Sequence, residues 1–341
     1  MSNWPGNLIR KTPVTPAGPF QNGAASGVWS LAEAAYWTKQ GLWPIPGNVN
    51  PRALFAAGQD VTGGTNIIDY ITIATTGNAV DFGDVSTATR SMGACASSTR
   101  GVFAGGSGGL LAMRYVTIAT TGNTTNFGNL INGLQGVAGC NSSTRGVFGG
   151  GSNSGTYYNT IQYITIATTG NATSFGELSN EIEFMSACSS PTRGVFAGGV
   201  DLYTQVRKGI KYITIATTGN ATTFGDLIAG YYAGGGCSSS TRGVFAFGAN
   251  TSYTEINVIE YITIATTGDA TDFGDLTQSR SFLSASSSST RAVFGGGNAN
   301  NPISNVIDYV TIATTGNATD FGDLTVARVG PTSCSSANGG L

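Results

Sequence analysis

The sequence predicts an all-β chain closed into a six-bladed β-propeller, and three observations carry that expectation. The segment Tyr-Ile/Val-Thr-Ile-Ala-Thr-Thr-Gly recurs with its tyrosine at Tyr70, Tyr115, Tyr163, Tyr212, Tyr261 and Tyr309, at spacings of 45, 48, 49, 49 and 48 residues. A Phe-Gly pair follows in every copy, at Phe82, Phe127, Phe175, Phe224, Phe273 and Phe321. The composition, with 51 glycines in 341 residues and 10% charged residues, is poor in helix formers and rich in turn formers. A period of about 45–50 residues with four strands per copy is that of propeller blades.

Taken in chain order, residues 1–51 stand apart from the repeats. They hold all four tryptophans, Trp4, Trp29, Trp37 and Trp43, and seven of the ten prolines. Pro13, Pro16 and Pro19 mark an extended stretch. Ser30-Leu-Ala-Glu33 is a capping box and Gly41 a natural stop, which predicts one short helix over Leu31–Gln40. An arm of this length cannot bury four indoles by itself, so these tryptophans are expected to dock on the propeller or on another subunit. The repeats then fill residues 52–341. In the copy spanning 193–239 the expected strands are Arg193–Gly199, Gly209–Thr217, Ala221–Leu227 and Tyr231–Ser239. The alternating β-branched residues of Tyr212-Ile-Thr-Ile-Ala-Thr fit a strand, and Thr-Gly-Asn after it supplies the positive φ of a tight hairpin.

Glycine pairs at Gly105-Gly106, Gly150-Gly151, Gly198-Gly199 and Gly296-Gly297, followed by the tyrosine and phenylalanine series, resemble the kelch repeat across about residues 52–337. Two departures stand out: phenylalanine where kelch repeats usually carry tryptophan, and weakened pairs at Ala57-Gly58 and Phe247-Gly248. The first copy begins in mid-repeat, since Arg52-Ala-Leu-Phe-Ala-Ala-Gly matches Arg100-Gly-Val-Phe-Ala-Gly-Gly. The last segment, Ser333-Cys-Ser-Ser, matches the missing innermost strand. One blade is therefore expected to combine both ends of the repeat region, which leaves no open strand edge.

Four residue series invite a functional reading beside a structural one. Cys95, Cys140, Cys188, Cys237 and Cys334 share one repeat position, with Ser286 in the sixth copy. Their odd number, their separation around a ring and the serine favour buried, reduced thiols over a metal ring or disulfides. Arg52, Arg100, Arg145, Arg193, Arg242 and Arg291 form either an anion site or structural pairs with carbonyls or acids, and the structural pairing is favoured. Asn171, Asn220 and Asn317 match the glycosylation acceptor pattern but sit where turn chemistry already selects asparagine. Asp84, Glu177, Asp226, Asp275 and Asp323, with Asn129 in the odd copy, suit a turn or ion-pair position better than a calcium site or catalysis.

Variation between copies points to one face. The turns after strand three are nearly identical, whereas the connections from strand two to three and from strand four to one differ in length and chemistry. Antiparallel geometry puts both variable sets on the same side, the side that kelch propellers use for ligands. Tyr157, Tyr158, Tyr203, Tyr231, Tyr232 and Tyr253 lie in them, as exposed rings for a partner or sugar or as rings folded onto the propeller.

With no histidine, a net charge of −2 and no apolar run of about 18 residues, nothing favours triad or zinc chemistry, nucleic-acid binding or membrane insertion. No catalytic residue, cofactor or metal is expected. Residues 1–30 lack the apolar core of a secretory signal. Gly27-Val-Trp-Ser-Leu and Gly41-Leu-Trp-Pro44 resemble a segment of tailed-phage structural proteins. The Tyr-Ile-Thr-Ile-Ala-Thr-Thr-Gly-Asn-Ala-Thr repeat is similar to kelch-like repeats of marine and cyanophage virion proteins. That resemblance implies a non-enzymatic virion protein, a fibre, tail or head appendage or decoration subunit assembled in the host cytoplasm. Residues 1–51 would dock it on other virion proteins, in a homo-oligomeric setting, and the propeller would meet a host glycan or receptor. The alternative is a carbohydrate-binding, adhesin-like module outside any virion.

Overall fold

Each copy folds locally for reasons written in its own residues. The Ser-Ser-Thr-Arg turn, Ser-Pro-Thr-Arg at Ser190, is closed by a serine hydroxyl that accepts the arginine N–H three residues on, at 3.1 Å from Ser97, Ser142, Ser190, Ser239 and Ser288. That turn folds strand one against strand two. The computed structural model describes Glu33 and residues 51–337 apart from 204, 300 and 301. Of the two units, residues 1–50 and Pro51–Leu341, the first therefore lies outside the described residues except for Glu33. The expectations placed on Trp4, Trp29, Trp37 and Trp43 and on the helix over Leu31–Gln40 fall there. No helix occurs among the described residues of the second unit.

Six four-stranded antiparallel sheets make the blades, each running from an innermost strand one to an outermost strand four. Blade two comprises Gly93–Ala96, Arg100–Ala104, Ala112–Thr117 and Thr125–Asn129. Blade three comprises Ala138–Asn141, Arg145–Gly149, Thr160–Thr165 and Thr173–Glu177. Blade four comprises Ser186–Ser189, Arg193–Ala197, Gly209–Thr214 and Thr222–Asp226. Blade five comprises Gly235–Ser238, Arg242–Ala246, Val258–Thr263 and Thr271–Asp275, and blade six Ser284–Ser287, Arg291–Gly295, Val306–Thr311 and Thr319–Asp323. Blade one takes Arg52–Asp60, Gly63–Thr72 and Val80–Asp84, and its strand one is Thr332–Ser335, paired antiparallel with Ala53–Ala56.

The innermost strands stand side by side around an axis. Two residues before each of them the backbone turns left-handed, at Ser91, Gly136, Phe184, Ala233, Phe282 and Gly330, with φ between 53° and 64°. These six peptides form a closed head-to-tail ring. Ser91 N–H donates to Gly330 C=O, Gly330 to Phe282, Phe282 to Ala233, Ala233 to Phe184, Phe184 to Gly136 and Gly136 to Ser91, at 2.7–3.1 Å. The ring explains a correction. The expected strand Tyr231–Ser239 is interrupted at Ala233, because a left-handed residue cannot continue a ladder, and the innermost strand is Gly235–Ser238. Left-handed backbone costs a non-glycine residue roughly 1–2 kcal/mol, which the ring hydrogen bond offsets.

Strand three also ends earlier than its alternation implies, at Thr214 rather than Thr217. Ile215 turns inward and is buried, and its N–H reaches Thr192 C=O at 2.8 Å. Thr-Gly-Asn is then not a tight hairpin but an extended run held by the neighbouring blade. The core lies between blades: each cluster mixes residues of adjacent blades, such as Val147, Ile161 and Phe175 with Phe196 and Ile213. Within each blade the repeated tyrosine and phenylalanine meet edge to face at 5.9–6.1 Å.

Candidate functional site

The uniform face is occupied by its own architecture. Each repeat arginine lies over its own blade's tyrosine, 4.3–4.5 Å from the ring centroid. Its Nη1 donates to the isoleucine carbonyl of the next blade's Ile-Ala pair, and in four copies to the alanine carbonyl as well, as from Arg100 to Ile166 and Ala167 at 2.9 and 2.8 Å. The series closes the circle, since Arg291 of blade six reaches Ile73 and Ala74 of blade one. This is the carbonyl pairing favoured over an anion site.

The next rung uses the Thr-Gly-Asn run. Gly219 and Ala221 N–H donate to Phe175 and Glu177 C=O at 2.8 Å, and all six seams repeat the pattern. The Asn220 Oδ1 accepts the Glu177 N–H at 3.0 Å, and Asp269 replaces asparagine in one copy without losing the acceptor. The carboxylate series thus presents its backbone to the neighbouring blade. The Phe-Gly glycine is dictated by the same approach: a Cβ on Gly274, at φ +142°, meets the Gly316 oxygen at 2.5 Å.

A third polar layer, just before the repeat tyrosine, differs from seam to seam. Asp69 accepts from the Thr325 hydroxyl at 2.6 Å, Asp308 from Thr277 at 2.6 Å, Gln162 from the Ile131 N–H at 2.7 Å and Glu260 from the Ile228 N–H at 3.2 Å. Arg114 Nε donates to Ser86 Oγ at 2.6 Å. In two seams an arginine from the connecting segment completes a fully buried ion pair, Arg280–Asp308 and Arg328–Asp69, both at 2.9 Å. The equivalent residue of the blade three–four seam is Lys211, and it is the only one of the six not buried. Its ammonium turns back to Thr223 Oγ1 of its own blade at 3.1 Å. A cavity of about 230 Å³ opens beside it, lined among others by Leu178, Ser179, Asn180, Arg207 and Lys208. A second cavity of about 330 Å³ adjoins it, lined by Asn159, Glu181, Asp201 and Tyr203.

On the variable face the two sets of connections pair with one another, Ile182–Glu183 with Val200–Asp201 and Tyr231–Tyr232 with Ala249–Asn250. The tyrosines in them part company. Tyr203 and Tyr253 are exposed, at 77% and 53%. Tyr232 stands edge to face against Tyr253 at 5.9 Å and Phe282 at 6.3 Å, and Phe282 against Phe184 at 5.2 Å. Tyr158 packs on the core between blades two and three. Tyr157 is half-buried, and burial with the nearby Glu183 carboxylate pushes its phenol up to about 12. For Tyr231, open between an exposed ring and one folded onto the propeller, the second reading holds: it is buried. It stacks on Phe247 at 4.6 Å, the residue that replaces the first glycine of the usual pair, so the two departures compensate each other.

Two buried acids lie under this face. Glu183 accepts from Ser152 Oγ at 2.5 Å and is held above the usual carboxylate range by burial. Burial raises Glu260 to about 7, opposed by the Ile228 N–H and the Tyr231 hydroxyl. Sequence reasoning missed Glu183, Lys211, Phe184 and Phe282; the variation from Asp to Arg, Gln, Lys and Glu just before the repeat tyrosine was the one available signal. The five cysteines are free and buried. Burial pushes the Cys140 and Cys334 thiols up to about 12, so they are poor nucleophiles. Among the described residues no three histidine, cysteine or acidic side chains converge on a metal position, and no helix is long and apolar enough to cross a membrane. No family model matches the chain, and no curated protein resembles it in sequence.

Proposed function

We propose that this chain is a non-enzymatic structural protein of a tailed-phage-type virion. Residues 1–51 dock it among other virion proteins, and the kelch-like propeller presents its variable face to a host-surface glycan or a protein. The observation that carries this reading is the contrast between the faces. On one, the repeated arginine, asparagine and glycine are consumed in blade-to-blade bonds, which leaves little chemistry for a ligand. On the other, the connections differ from copy to copy and expose aromatic and charged groups. The resemblance of the arm and repeat to phage structural proteins supplies the virion context and, with it, assembly in the host cytoplasm. Pairing of Thr332–Ser335 with Ala53–Ala56 fits a ring that leaves no free edge for unwanted assembly.

Mass spectrometry of purified particles tests the reading. The chain is expected at a fixed stoichiometry, and a chain without residues 1–50 is expected to fold yet be missing from the particles. Particles that lack the parent protein would overturn it and favour the module outside any virion, for which the cavities at the blade three–four seam already speak.

A further inference from the structure

Two of the six copies carry a cation just before the repeat tyrosine: Arg114, buried and donating to Ser86 and Thr87, and Lys211 at the blade three–four seam, which is not buried. In four other seams that position supplies an acceptor to the connecting segment: a carboxylate from Asp69, Glu260 and Asp308, or an amide oxygen from Gln162. In each case the oxygen accepts the backbone N–H of Thr325, Ile228, Thr277 or Ile131. The matching donor at the blade three–four seam is the Ser179 N–H, and no acceptor among the described residues reaches it. Lys211 stands where the acceptor would be. Its charge is joined by Lys208, and these two are the only lysines of the second unit. Arg207 lines both cavities, and its Nε–H is buried without an acceptor. The seam therefore gathers the exposed Ser179 N–H, the buried Arg207 Nε–H and an ammonium that no carboxylate neutralises, around a cavity at a position where three sister seams carry a carboxylate of their own.

We infer that this cavity binds the carboxylate of an acidic saccharide, a uronic-acid-type residue. Lys211 and the Ser179 N–H hold the carboxylate, and the rest of the sugar lies in the adjoining cavity. The inference rests on reading the variable face as a recognition surface. Charge fixes the orientation. Lys208 is already paired with Asp226 at 3.0 Å, and Arg207 with Asp201, which leaves Lys211 as the cation able to accept a new partner. In the second cavity Asp201 is neutralised by Arg207, which leaves Glu181 as the unpaired acid that disfavours further anions, while Asn159, Asn180 and Ser179 offer amide and hydroxyl partners. An acidic peptide would set repeated carboxylates against Glu181. A sugar with one carboxylate and many hydroxyls does not. Tyr203, with its ring mostly exposed, borders the same cavity as a surface on which a pyranose face packs. Taken together, the two adjoining cavities of about 230 and 330 Å³ fall in the usual range for small ligands, about 300–1,000 Å³.

Calorimetric titration of the full chain tests the site with three probes: cellobiouronic acid, which carries one carboxylate; cellobiose, its neutral counterpart; and triglutamate. Saturable one-to-one binding is expected for cellobiouronic acid alone, weakening as salt rises. Lys211→Glu, which brings its own carboxylate to the cavity, is expected to weaken binding about ten-fold or more, and Lys211→Gln less. Both variants are expected to melt no lower than the parent, which separates lost binding from lost folding. The site is overturned if cellobiouronic acid does not saturate at millimolar concentration, if Lys211→Glu binds it as the parent does, or if cellobiose or triglutamate binds equally well. Any of these results, with the protein still present in purified particles, sinks the site and leaves the proposed function standing. Absence from particles removes that reading whatever the sugars do.

Discussion

The seam between blades five and six and the seam between blades three and four share their outer rungs and differ in one layer. At both, an arginine staples the next blade's isoleucine carbonyl and an asparagine oxygen caps the outer strand. Beneath these, blades five and six enclose the fully buried Arg280–Asp308 pair, whereas blades three and four leave Lys211 half-exposed beside a cavity. Arg280 also donates to the carbonyls of Gly296 and Phe294 at 3.0 and 3.1 Å, so its donors are largely satisfied. The comparison shows that the repeated rungs suffice to hold a seam, and that the variable layer is where a seam acquires a private character.

The largest effect should come from breaking the closed seam. Asp308→Ala leaves a buried guanidinium with no counter-charge and is expected to cost about 3–5 kcal/mol, read by denaturant unfolding. A loss under 1 kcal/mol would mean that the pair is not what closes that seam. Next are the shared rungs. Gly274→Ala and Gly176→Ala each push a Cβ against the next blade's turn, at Gly316 and Gly219. Each is expected to cost about 1–3 kcal/mol. Similar losses at both sites would confirm that the outer rung is indifferent to the layer beneath, and a much smaller loss at Gly176 would show the open seam yielding throughout.

A titration sharpens the contrast from a third seam. Glu260 ionises at about 7 in the folded chain against 4.5 when unperturbed. Between those values the folded state holds a proton that the unfolded state has released. Stability should therefore fall as pH rises from about 4.5 to about 7 and level off above. Melting curves of Glu260→Gln should lack that part of the fall, and identical pH profiles for variant and parent would remove Glu260 from the account. Arg145→Lys keeps the charge but loses the planar guanidinium that stacks on Tyr163 while its Nη1 reaches the Ile215 and Ala216 carbonyls. About 1 kcal/mol is expected to disappear. The smallest effect belongs to Lys211→Gln, within about 0.5 kcal/mol of the parent. A large loss there would mean that Lys211 braces the seam.

Much of the fold is legible because the repeat spells out local rules. Ser-Ser-Thr-Arg closes a turn through a hydroxyl one residue type at a time, and the Tyr-Ile-Thr-Ile alternation sets one face of strand three inward. The candidate site was less legible. Tyr231 and Tyr232 are adjacent and look alike in sequence, yet one is stacked under Phe247 and the other reaches Tyr253. Phe247 lies in a different connection, and nothing near Tyr231 announces it. Glu183 reads as one more exposed loop acid until Ser152, 31 residues away, is folded onto it.

The sequence by itself determined the number of copies, the four strands in each and the small side chains of the innermost strand. Hydrogen-bond ladders, turns and alternation involve neighbours that each copy carries within itself. Only the tertiary structure decided what each copy meets across its seam. The closed ring of six left-handed peptides, the Arg280–Asp308 pair and the opening beside Lys211 each join residues from two blades. Their partners are fixed by the rotation that brings one sheet against the next, and a single copy holds half of each interaction.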